Sequence, residues 1–151
     1  MGSVYAEIIL KNANDNANCA RGLIKEQDVH SVTVNALVDT GAMSLVINED
    51  MCKKLGLRII GEKSALVANG KRVYCKVTEP VEINWKNRAS SIRAVVVPGA
   101  RKVLLGVIPL EDMDLMVNPG TRELIGAHGD TVECLICNLG GEHENSYGIA
   151  V

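Results

Sequence analysis

Ala36-Leu37-Val38-Asp39-Thr40-Gly41-Ala42 is an apolar run that ends in a carboxylate, a hydroxyl and a glycine. Upstream, Val29, Val32 and Val34 continue the β-like pattern back to about Asp28, so a buried strand delivers Asp39 into a tight turn. Asp and Gly favour turns on their own account: Asp bonds nearby backbone, and Gly reaches φ values that other residues avoid. On its own Asp39-Thr40-Gly41 reads as an ordinary turn, and its surroundings decide otherwise.

Downstream, Leu45-Val46-Ile47 reads as a strand, and 48–56 reads as a short helix. Asn48 can cap that helix, Glu49 and Asp50 suit its N-terminal end, Lys53 and Lys54 its C-terminal end, and Gly56 can stop it. Strand-like stretches follow at 64–68, 71–77, 81–85, 92–97, 102–105, 114–117, 122–125 and 132–136. Asn69-Gly70, between the first two of these, is a hairpin-turn signal. Before the Asp39 strand, 4–10 reads as a strand, and the asparagine-rich 12–18 as an exposed loop. Many short strands with turns between them predict an all-β fold with one or two short helices. No composition shift divides the chain, so we expect one domain over 1–138 and a flexible tail over 139–151, where Gly140-Gly141-Glu142-His143-Glu144-Asn145 has the look of a linker.

Composition narrows the function. A chain of 151 residues with 47% hydrophobic residues can bury a core, and with 3% aromatics and no Phe that core must be aliphatic. The net charge of −2, with basic residues only in scattered pairs, offers no footprint for nucleic acid or an anionic membrane. Five irregularly spaced cysteines do not make a disulfide framework and suggest a reducing compartment. The longest apolar run, near 103–110, is too short to cross a bilayer. Met1-Gly2 invites a lipidation reading, but Ala6 stands where Ser or Thr is wanted. These features point to a cytoplasmic, soluble protein.

In this setting the sequence resembles the retropepsin-like aspartic proteases, from about Val29 to Ile125. Four pieces match in order. Leu37-Val38-Asp39-Thr40-Gly41-Ala42 is followed by Ser44-Leu45-Val46-Ile47 and a helix ending in Leu55-Gly56-Leu57. The hairpin Val67-Ala68-Asn69-Gly70-Lys71 falls where the family places its flap, and Val103-Leu104-Leu105-Gly106 matches its second apolar-apolar-Gly element. The resemblance implies a closed acid-protease barrel without cofactor or metal, acting on polypeptide, with no nucleic-acid or membrane partner.

It also implies roles. Two carboxylates about 3 Å apart cannot both ionise comfortably, so one keeps a proton while the other activates water against the scissile carbonyl. The chain has one Asp-Thr-Gly, and Leu104-Leu105-Gly106 is followed by Val107, not an acid. A second copy must supply the partner, which makes the expected enzyme a twofold homodimer. By resemblance Asp39 holds the water, Thr40 braces the two loops across the axis, and Gly41 admits the substrate backbone. Ala42, Met43 and Ser44 would border the substrate, Ala68, Asn69 and Gly70 would form the flap tip, and Leu104, Leu105 and Gly106 would pack behind the loop. Met43 and Ser44 replace acidic residues usual in viral members, and Val107-Ile108-Pro109 replaces a charged pair that supports their dimer. An inactive dimerisation or peptide-binding module is the alternative those departures keep open.

Other motifs are weaker. His128, Cys134, Cys137 and His143 could supply four zinc ligands, yet 131–137 reads as a strand in which Cys134 and Cys137 face opposite ways. The same alternation counts against a redox Cys-x-x-Cys. Gly70-Lys71 lacks the earlier glycine of a phosphate loop, no Gly-x-Ser-x-Gly is present, and His30 reads as a strand-surface residue.

Overall fold

The computed structural model describes residues 2–136. The first strand, β1 (Tyr5–Asn12), buries Ala6, Ile8, Leu10 and Asn12 and turns the residues between them outward, as period-2 alternation requires. Asn12 then starts a helix, α1 (Ala13–Ala20), where the sequence predicts a loop. The reason lies in side-chain partners. Asn12 Oδ1 accepts from Asp15 N (3.1 Å) while its Nδ2 donates to Leu55 O (3.0 Å) and Gly56 O (3.2 Å). Asn14 and Asn16 donate to Glu79 and Glu82, both at 2.9 Å. Turn-forming residues disfavour helices by bonding nearby backbone; here Asn12 makes that bond as the helix cap, and the Asn14 and Asn16 amides are engaged elsewhere.

After a 3-10 turn (Glu26–Asp28) come β2 (Ser31–Val38), β3 (Leu45–Ile47) and α2 (Glu49–Lys54). Asn48 caps α2 as expected, accepting from Met51 N at 2.8 Å, and Gly56 ends it with φ +59. The long hairpin of β4 (Ile59–Leu66) and β5 (Arg72–Trp85) turns at Asn69-Gly70. The sequence suggests two strands over 71–85. A single strand forms, whose register to the next strand shifts between Val77 and Pro80. Buried Thr78 lies at the shift, donating to Glu79 O (2.7 Å) and accepting from Ala94 N (3.1 Å).

The chain continues through β6 (Arg88–Val96), β7 (Leu104–Leu105), a helix α3 (Val107–Asp112), β8 (Leu115–Asn118) and β9 (Glu123–Gly126). The main sheet runs β1-β2-β7-β3-β6-β5-β4, and β1 pairs again with β5, so six strands close a hydrogen-bonded ring with β4 added outside. β8 and β9 form a separate hairpin. The core is aliphatic: Leu10, Leu45, Ile47, Leu55, Val81 and Leu105 have no exposed surface. The fold is all-β in the sense expected, but its short α-helices number three among the described residues, one more than the upper expectation. The strand expected over 132–136 is absent. Val132, Leu135 and Ile136 are exposed there, and no described strand pairs with them, so β-prone composition alone does not make a strand. No helix of the described residues is long and apolar enough to cross a membrane. The expected tail, with Cys137 and His143, lies outside the described residues.

Candidate active site

β7 is two residues long, yet it positions the Asp39 turn. Leu104 and Leu105 pair parallel with Leu37 and Val38 of β2 and antiparallel with Val46 and Leu45 of β3. The strand that enters the turn and the strand that leaves it are therefore fixed to one spacer. Asp39 N donates to Leu105 O (3.0 Å), extending the β2–β7 contact by one residue into the turn. On the far side Gly106 N, Val107 N and Ile108 N donate to Ser44 O, Ala42 O and Met43 O, each at 2.9 Å. Consecutive carbonyls of the turn thus accept from the N-terminal end of α3, whose amides have no partner within the helix.

Within the turn, Gly41 N donates to Asp39 Oδ1 (2.8 Å) and Ala42 N to Asp39 O (3.1 Å). These bonds orient the carboxylate from its own loop. Asp39 is half-buried, Thr40 and Gly41 are exposed, and no cation forms an ion pair with Asp39 among the described residues. The carboxylate is left open on one side. Met43 is 69% exposed, whereas Ser44 is half-buried and donates to Arg93 O (3.0 Å). Gly106 lies directly behind the turn, where a Cβ would stand 2.6 Å from Ala42 O and 2.8 Å from the Met43 carbonyl carbon, with Ser44 O closer still. Glycine is required there for space.

The residues matched to a flap occupy the tip of the β4–β5 hairpin. Val67 N donates to Lys71 O and Gly70 N to Val67 O, both at 2.9 Å, with Gly70 at φ +83. Ala68, Asn69 and Gly70 are all exposed, as is almost all of β4. The structure brings together 39–44 and 104–106; no hydrogen bond joins the hairpin tip to them among the described residues.

A second polar cluster was not legible in the sequence. Arg88 is buried and donates through Nη1 to Met113 O (2.9 Å) and Asp114 O (2.7 Å), and through Nη2 to Gly129 O. Asp114, also buried and with φ +53, accepts from His128 Nδ1 (2.8 Å) and Glu133 N (3.0 Å). The His128 bond, with the Glu133 amide and the charges of His128 and Arg88, holds the Asp114 carboxyl below its usual range against the opposing push of burial. The Asp114 bond and then the charges of Asp114 and Glu133 raise His128. His128 is thereby tied to Asp114. Among the described residues no group of three or more His, Cys, Asp or Glu is arranged to hold a metal ion.

A family model described as an aspartyl protease matches residues 26–136. The chain belongs to this retropepsin-like aspartyl protease family. Among solved structures it is similar to the retroviral protease-like domain of Ddi1 from Leishmania major, at 14% identity and a TM-score of 0.51. That match covers 89% of this chain and 91% of the other, a likeness of fold alone. No curated protein sequence matches the chain significantly. In this ring the loop bearing Asp39 follows β2, a strand of which Ala36 is the buried residue and the others are exposed or half-buried.

Proposed function

We propose that the protein is an aspartic endopeptidase in which Asp39 and its mate from a second copy share one proton and activate water. The observation that carries this reading is the way the turn is built. β2, β7, β3 and the start of α3 fix 39–44 by backbone bonds on both sides, while the carboxylate is oriented by Gly41 N and has no ion pair among the described residues. A structural turn needs the first feature but not the second. A carboxylate that must alternate between proton holder and base is best left free of a permanent counter-ion, which would hold it ionised.

Thr40, exposed beside Asp39, is the residue to brace the mate's loop, and the exposed hairpin tip at 68–70 is the element to close over substrate. The exposed apolar side chains Met43 and Ile108, on the rim of the turn and on the helix behind it, fit an apolar subsite or subunit contact better than a grip on charged substrate. Cleavage of an unbiased peptide library, read by mass spectrometry for wild type and Asp39→Asn, tests the reading. Cuts that disappear in the variant support it. Equal cutting by both removes Asp39 from the chemistry, and no cuts from a proven dimer favour a peptide-binding module.

A further inference from the structure

Away from Asp39, a cleft of about 530 Å³ is lined by one end of β1, the end of β5 and β9, including Tyr5, Glu7, Asn84, Trp85, Glu123 and Leu124. Its two walls are strand edges. Val38 N donates to Val4 O, whereas Leu37 N turns the other way, to Val103 O. Because an antiparallel ladder alternates, Ala6 and Ile8 face β2 with their backbone polar groups, and Tyr5 and Glu7 face away from it. β5 covers that outer edge only from Ile9 onward, through the Ile9–Asn84 pair, and leaves β1 after Trp85. The N–H and C=O of Tyr5 and Glu7 therefore have no strand partner among the described residues. On β9 the same rule applies: Ala127 N donates to Asp114 O, so Leu124, three positions earlier, turns its backbone groups away from β8.

We propose that this cleft binds an extended, basic polypeptide segment as an added strand on the Tyr5–Glu7 edge. Two unpaired edges along one cleft are the geometry that strand addition uses, with main-chain bonds for affinity and alternate side chains for selectivity. Charge sets the selectivity. Glu7 on one wall and Glu123 on the other are exposed and have no ion pair among the described residues. The basic side chain of the lining, Lys86, lies over the Trp85 ring at 4.6 Å. A Lys or Arg of the incoming strand would sit between the two carboxylates. Asn84, where β5 departs, adds a buried Oδ1 that has no hydrogen-bond partner among the described residues. The inference stands apart from the protease reading, since none of 39–44 lines the cleft.

Trp85 is the single tryptophan of the chain and lines the cleft, so its emission reports occupancy. The test titrates acetyl-Val-Lys-Val-Lys-Val-amide into the full chain, wild type and Asp39→Asn in parallel, with the Glu-for-Lys peptide as control. We expect a saturable change, equal in both proteins and much weaker for the acidic peptide. Glu7→Pro removes a donor that β1–β2 pairing does not use, so the fold should hold by circular dichroism while affinity falls about tenfold. Glu123→Gln should cost about threefold, and less in high salt. If Glu7→Pro does not fold, Glu123→Lys decides, with a larger loss expected. No saturable change, or unchanged affinity in the variants, overturns the proposal. So does a Trp85 change that follows protein concentration without peptide, which would give the cleft to a second copy.

Discussion

The Asp39 turn and the segment from Ala127 to Glu133 are both irregular backbone laid against the ring, and opposite means hold them. Residues 39–44 are held chiefly by main-chain groups, Leu105 O on one side and the amides of Gly106, Val107 and Ile108 on the other, with Ser44 Oγ to Arg93 O as a side-chain addition. Among the described residues the later segment has one main-chain bond to the body, Ala127 N to Asp114 O, and otherwise depends on the side chains of Arg88, Asp114 and His128. Main-chain anchoring does not titrate and spares the local side chains for chemistry. Side-chain anchoring consumes a buried carboxylate and a buried guanidinium, and it responds to pH. A site that works by moving a proton is better built the first way.

The largest expected effect comes from Gly106→Ala, which breaks the first arrangement. The added methyl would meet three backbone atoms of the turn, none of which can swing aside as a side chain could. We expect a loss of about 3 kcal/mol, with activity lost in whatever remains folded. Urea melts of the variant check it, and wild-type stability would show that the turn is looser than its bonding implies. Arg88→Leu breaks the second arrangement. It leaves Met113 O, Asp114 O and Gly129 O without their donor, partly offset by removal of Arg88's own unpartnered buried Nε. A loss of about 2 kcal/mol is expected, together with faster hydrogen exchange at the Glu133 amide and little change at Gly41.

The smallest effect sharpens the contrast through pH. His128 has a raised folded value, so its stabilisation is complete below the ordinary histidine range and is lost as pH rises through that raised value. Asp114 has a lowered folded value, so its contribution is complete above the ordinary aspartate range and is lost as pH falls through the lowered value. Near pH 5, between the ordinary aspartate and histidine ranges, both act together. His128→Gln should flatten the alkaline side of a stability-pH curve and leave exchange at Gly41 untouched. An unchanged curve would remove the Asp114–His128 contact from the account.

The same contrast explains what the sequence made legible. The Asp39 strand, β3, the capped α2, the Asn69-Gly70 hairpin and Leu104-Leu105-Gly106 each declare themselves within a few neighbouring residues, through periodicity, caps or turn chemistry. Helix α1 did not, because the side-chain amides of Asn12, Asn14 and Asn16 donate to residues far along the chain at Leu55, Gly56, Glu79 and Glu82. Thr78-Glu79-Pro80 breaks the β pattern locally, whereas in the fold β5 runs through it, with buried Thr78 accepting from Ala94 N across the register shift. Arg88, Asp114 and His128 had no signal, being joined by tertiary contact alone. The over-reading at 132–136 has the converse cause: β-prone residues were present, but a partner strand was not.

The central claim is that one catalytic centre needs Asp39 from two copies, and mixing tests it most directly. Wild type is exchanged with an equal amount of Asp39→Asn, and cleavage of a peptide from the library is followed at fixed total protein. If each centre needs both carboxylates, activity falls to about a quarter of that of the all-wild-type sample, because only wild-type pairs work. Activity of about one half, in proportion to the wild-type chains present, would mean that each chain works alone and would contradict the account.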